Sequence, residues 1–260
     1  MFNLMKADLQ RILRGKGIWI TGIILLILIL PLTMGHLGEN VGTIGMYQMQ
    51  DELAAVGIHM PHLMMGAVDN LSLFIIPLIS FVLMTDFGTQ VIKNTVGVHF
   101  TRSKYLFSKI LTVSTLAIVF HLLYIGIPTI IVTIVAGFGG TIGDFFSFNG
   151  LAILGQLLFM VALSLMGIFL GVLFKNTTIM VSLYMVITLA PIMIIFILAD
   201  VFGEGLLRLM DFTILENMSL MLQLDTIGQT DIIRAIGVGA GLLIISLFGS
   251  LMVFKKAEIK

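Results

Sequence analysis

The chain has 260 residues, of which 58% are hydrophobic and 11% charged, with mean hydropathy +1.13 and a formal net charge of zero. Soluble domains carry about 45–50% apolar and about 25% charged residues, so this composition excludes an ordinary soluble fold and points to an integral membrane protein built from helices. The absence of cysteine excludes disulfides, Cys-based metal sites and thiol nucleophiles, and the balanced charge gives no sign of a nucleic-acid partner.

Residues 1–16 read as an amphipathic helix. Phe2, Met5, Leu9, Ile12 and Leu13 follow the three-four spacing, Gln10, Arg11 and Arg14 fall opposite, Asp8 lies on the flank, and Leu4 departs from the pattern. Such a helix suits the headgroup plane, with Arg11, Arg14 and Lys16 directed toward the cytoplasmic leaflet. The plainer alternative is a ragged leader that supplies orientation charges. A first span follows over about 17–34, close to the roughly 20 residues a crossing needs, with Trp19 near its inner end. No small-residue cleavage site follows, so the segment reads as an uncleaved anchor.

Residues 35–68 form an outer segment too interrupted for a span. His59 and His62 would share a helical face able to ligate a metal, but Pro61 between them argues for ordinary solvated histidines. The second span is placed at 69–85 and contains Pro77. The loop 86–104 comes next, and the run from Asp86 to Lys109 reads DFGTQVIKNTVGVHFTRSKYLFSK. A charge at the bilayer centre costs roughly 3 kcal/mol, so Asp86, Lys93, Arg102, Lys104 and Lys109 are expected in water, on the cytoplasmic side because four of the five are positive.

Spans at 105–136 and 151–174 flank a Gly-rich turn over 137–150, whose spacing is not that of a phosphate loop. A tight inner turn at 175–178 leads to a fifth span, 179–199, interrupted by Pro191. Residues 200–234 form a second outer segment in which Ile214, Leu215, Met218, Met221 and Leu222 share a face, so at least one helix is expected in the outer leaflet. The sixth span is 235–254.

Charge supports this layout. Lys6, Arg11, Arg14, Lys16, Lys93, Arg102, Lys104, Lys109, Lys175, Lys255, Lys256 and Lys260 all fall inside, and only Arg208 and Arg234 outside. Among the acids, only Asp8, Asp86 and Glu258 are inside, as both termini in the cytoplasm require.

Catalytic signatures are missing. There is no G-x-x-x-x-G-K-[ST], no HExxH, no G-x-S-x-G and no pair of span carboxylates, so the chain is read as a non-enzyme. Polar residues within the spans are sparse. His121 and Gln156 either line a translocation path or satisfy themselves against neighbouring helices. The small-residue sets Gly167/Gly171 and Gly237/Gly239/Gly241 permit close helix approach within the chain or between chains. Eighteen methionines offer adaptable surface, but methionine is also ordinary lipid-facing filler.

The order Asp86, Gly88-Thr89, Ile92-Lys93-Asn94, Thr101 to Tyr105 and Lys109 resembles the first cytoplasmic loop of ABC-2-type permeases, the membrane subunits of bacterial ABC exporters. The resemblance implies the type V exporter architecture: an elbow helix before the first span, outer-leaflet re-entrant helices, and a coupling helix in this loop that docks on a separate ATP-binding subunit. That docking role would fall to Thr89, Gln90, Val91, Ile92, Lys93, Asn94 and Thr95, with Arg102 and Lys104. It further implies ATP and Mg on the partner rather than on this chain, a second permease copy or sister permease, a bacterial cytoplasmic membrane, and an amphipathic or antimicrobial peptide as cargo. Antibiotic, ion or lipid efflux, or a non-transporting scaffold or sensor, are the alternatives.

Overall fold

The computed structural model describes residues 2–27, 75–89, 91–92, 96, 100–136, 141–220 and 229–256. Every regular element among them is a helix, and one isolated bridge pairs Val96 with Phe100. In chain order these are α1 (Phe2–Arg14), α2 (Lys16–Ile27), α3 (Ile75–Gly88), α4 (Arg102–Ala136), α5 (Ile142–Phe174), α6 (Thr177–Phe202), a 3-10 segment Glu204–Phe212, α7 (Ile214–Leu220) and α8 (Gln229–Lys256). Among the described residues, α4, α5, α6 and α8 contain the four helices long and apolar enough to cross a membrane; α2 and α3 are shorter apolar helices. The apolar part of α5, Gly150–Phe174, is about 38 Å long against a hydrocarbon core of about 30 Å, so it can cross at a tilt.

The helix α5 is the hub. Of its apolar stretch 67% is buried, against 17% for α6 and for α8, which turn broad apolar faces outward. The most extensive helix pair is α5 with α8, and α3 and α4 close on the other sides of α5. Glycines permit this approach. A Cβ on Gly167 would collide with Ile79 Cδ1, one on Gly171 would lie 3.0 Å from Met84 Sδ, and one on Gly239 would lie 3.2 Å from Leu158 Cδ2. These three glycines therefore serve packing within the chain, whereas Gly237 and Gly241 look onto open space.

Helix ends follow local chemistry. α1 stops at Gly15, whose N–H reaches the carbonyls of Arg11 and Ile12 at 3.1 and 3.0 Å. The turn after α5 needs only two residues: Lys175 takes φ 51°, and the Asn176 side chain accepts from Ile179 N at 3.1 Å as an N-cap. Two expectations are corrected. The Gly-rich stretch is helical from Ile142 onward, because a glycine costs a helix only about 1 kcal/mol and no proline interrupts the run. Pro191 does not break its helix, which continues from Thr177 to Phe202; in an apolar setting the remaining backbone groups have no better partners than one another.

α3 carries a wide π turn over Ser80–Met84, where both the backbone N–H and the hydroxyl of Thr85 reach back to Ser80 O. After α6, Asn217 donates to the carbonyls of Asp211 and Thr213, each at 2.7 Å, and Arg234 at the start of α8 pairs with Asp211 at 3.3 Å. The helix expected around Ile214–Met218 is present as α7, with Met218 fully buried; Met221 and Leu222 lie outside the described residues.

Candidate functional site

Three helices converge where the 86–104 loop leaves and rejoins the bundle. On α1, Asp8 and Ile12 are one turn apart and point inward, with Arg11 beside them. Past its π turn, α3 delivers Asp86 to the same place, and α4 supplies Tyr105 and Lys109, again one turn apart on a single face.

The side chains form a closed ionic cluster. Lys109 Nζ donates to Asp8 Oδ1 and Oδ2 at 2.8 and 2.7 Å and pairs with Asp86 Oδ2 at 2.5 Å. The Tyr105 hydroxyl donates to Asp86 Oδ2 at 2.6 Å, and Arg11 Nη1 donates to Asp86 Oδ1. Arg11 also approaches Asp8 Oδ1 at 3.4 Å, and its Nη2 reaches the Val82 carbonyl inside the π turn at 3.4 Å. Two carboxylates face two cations, so the cluster is formally neutral.

Burial shapes the two acids differently. It pushes Asp8 above the usual carboxylate range, and Lys109 only partly offsets this. Burial pushes Asp86 the same way, but Lys109, Tyr105 and Arg11 together outweigh it and hold Asp86 below that range.

This geometry corrects the expectation that Asp86 and Lys109 sit in water, since each is 1% exposed. Charges can leave water when every lone pair and proton finds a partner, and here the compensating charges come from the supposed surface helix. Arg11 is corrected likewise: it turns toward Asp86 instead of the headgroups. The signal for both was available in Asp8, a carboxylate four residues before the apolar-stripe residue Ile12, and in Lys109, one turn after Tyr105 at the mouth of an apolar run.

The cluster is tied to the far end of the chain. Tyr105 stacks on Phe254 of α8 with ring centroids 5.8 Å apart, and Arg102 Nη1 donates to the Lys255 carbonyl at 2.9 Å, satisfying a free acceptor of the last turn. Of the loop residues singled out for partner docking, Lys104 is exposed, and Arg102 is half-buried with this partner inside the chain. Thr89 is exposed and closes the end of α3 through its hydroxyl on Thr85 O at 2.8 Å. Val91 is exposed while Ile92 next to it is buried; Gln90, Lys93, Asn94 and Thr95 lie outside the described residues.

His121 and Gln156 meet deep between α4 and α5, both fully enclosed. The amide lies near enough to act on the imidazole, yet neither ring nitrogen and neither amide atom completes a hydrogen bond of normal geometry. Among the described residues no group of three His, Asp or Glu is placed to hold a metal, and His59 and His62 lie outside them. Comparison of the chain with known family models and with curated proteins gives no match.

Proposed function

We propose that this chain is the membrane subunit of an ATP-driven exporter of the ABC-2 type. The observation that carries the reading is the buried ionic cluster at the foot of the 86–104 loop, where α1, α3 and α4 are bound by Asp8, Arg11, Asp86 and Lys109. A loop that passes force from a soluble motor to membrane helices needs a stiff base on several helices at once. This base engages three helices and, through Arg102 and Tyr105, reaches α8.

In this reading the chain crosses the bacterial cytoplasmic membrane six times with both termini inside, and two permease chains enclose the path. Two separate ATP-binding subunits take the exposed loop surface, including Lys104, and carry ATP and Mg. Nucleotide binding supplies the free energy; the chain supplies two arrangements of its helices with different access. Amphipathic peptides are the proposed cargo: the end of α6 and the segment after it offer Asp200, Glu204, Asp211 and Glu216 beside exposed Val201, Phe202, Leu209 and Phe212, a surface suited to a cationic amphipath.

Native mass spectrometry of the complex, gently extracted from the membrane of its own host, tests this. Two permease chains with two ATP-binding chains are expected, together with peptide-stimulated ATP hydrolysis in liposomes. Recovery of the chain alone or with a non-ATPase partner, under conditions that preserve other ABC complexes, would overturn the reading in favour of a scaffold or sensor.

A further inference from the structure

An apolar crevice of about 380 Å3 runs between the N-terminal helices and α4. Leu13, Gly22 and Leu26 form one wall and Leu116, Phe120 and Ile127 the other. From Leu116 to Ile127 the groove follows α4 for about 17 Å, the reach of an extended hydrocarbon chain rather than of a compact solute. Its lining exposes essentially no polar surface. Trp19 stands on the rim, 62% exposed, and its indole N–H is already spent on the Leu13 carbonyl at 2.8 Å. The walls therefore offer a ligand nothing but apolar contact.

Among the described residues, charge appears beside the groove at the end where α1 meets α2. Arg14, immediately after Leu13, and Lys16, two residues before Ile18, are exposed and have no ion-pair or hydrogen-bond partner among the described residues. Nearby Arg11 differs, being committed to Asp86, and the nearest acid on α1, Asp8, is held by Lys109. A long apolar slot ending at two unpaired cations complements a molecule with an acyl chain and an anionic head.

We infer that this groove is a binding site for one anionic glycerophospholipid of the inner leaflet, with an acyl chain between α2 and α4 and its phosphate at Arg14 and Lys16. A second copy of the chain fits less well, because symmetric pairing across the groove would set the same two cations against their counterparts. The inference rests on the reading that α2 and α4 lie in a membrane with α1 on its cytoplasmic face.

Trp19 is the only tryptophan in the chain, which makes the test direct. The purified protein is reconstituted into phosphatidylcholine vesicles containing increasing fractions of either brominated-acyl phosphatidylglycerol or brominated-acyl phosphatidylcholine, and quenching of Trp19 fluorescence is followed. Half-maximal quenching is expected at a roughly tenfold lower mole fraction of the brominated phosphatidylglycerol, since two basic residues near an anionic headgroup give a preference of at least that size. Arg14→Gln/Lys16→Gln should bring the two curves together. So should Gly22→Leu, which fills the slot; a Cβ at Gly22 meets nothing within 4 Å, so the fold accommodates it. Equal quenching of the unaltered protein by both lipids overturns the site, and selectivity that survives Gly22→Leu reduces it to general surface attraction. Vesicle flotation separates the remaining failures: a protein that does not float with the vesicles overturns the membrane reading itself. One that floats, but whose Trp19 is shielded from both lipids, has protein rather than lipid in the groove.

Discussion

Lys109 is the residue on which the ionic cluster turns, because it is the one cation shared by both buried carboxylates at full hydrogen-bonding distance. Removing one member of a buried ion network costs about 3–5 kcal/mol, and at 1% exposure solvent does not soften that figure. Lys109→Met should therefore lower the melting temperature of the detergent-purified protein sharply. Neutralising all four charged members together should cost less than that single change, since an apolar set leaves no uncompensated charge. Arg11, 39% exposed at its side chain, contributes less, and Arg11→Met should be the mildest single replacement. The acids also differ in their response to pH. Asp86 sits below its ordinary 3.8 when folded, so its contribution is complete above that value and is lost as pH falls through the lower folded value. Asp8 is raised, so its contribution has the opposite sign and declines as pH climbs from 3.8 through the folded value. The difference in melting temperature between the unaltered protein and Asp86→Asn should shrink on acidification below 3.8; a difference independent of pH would show that Asp86 is not ionised in the cluster.

At the scale of elements, the π turn in α3 sets the direction of Asp86. Deleting one residue from Ser80–Met84 would restore an ordinary helix and rotate everything after it by about 100°, carrying Asp86 away from Lys109. The deletion should destabilise the protein about as much as Lys109→Met, and combining the two should add little. The loop offers a contrasting probe. Lys104→Glu reverses an exposed charge and should weaken association with the proposed ATP-binding subunit roughly tenfold without changing the melting temperature. Arg102→Glu should lose both, because Arg102 also holds the end of α8. Long helices were legible from hydropathy: α5, α6 and α8 match the spans read from sequence apart from their ends. The π turn was not, since widening a turn by one residue leaves the apolar pattern of Phe81, Val82 and Leu83 unchanged. Nor was the cluster, whose members are far apart in the chain and individually look like surface charges. Only their mutual neutralisation makes their burial affordable, and hydropathy scores residues one at a time.

For the whole molecule, what matters is how the helices divide between core and periphery. α5 is enclosed, whereas α6 and α8 present large apolar faces such as Ile194, Ile197, Ile245 and Phe248 to their surroundings. Either lipid or a second copy of the chain can cover such faces. The orientation of the proposed six-span arrangement can be tested cleanly because the chain has no cysteine. Single replacements Lys104→Cys and Lys175→Cys should resist a membrane-impermeant maleimide in intact spheroplasts and react after lysis. Glu204→Cys should react from outside in both. Any exchange between the two groups would invert or break the proposed topology.

Pairing across such a distance also imposes an order in time. Asp8 and the Lys109 that neutralises it are 101 residues apart, so at roughly 5–20 residues per second the ribosome needs about 5–20 s to supply the second after the first. During that interval α1 can be held only through Arg11 on α3. Only the arrival of the third predicted crossing lets it seat. A nascent chain stalled before Lys109 would thus leave two carboxylates to a single cation, Arg11, and a loosely held helix.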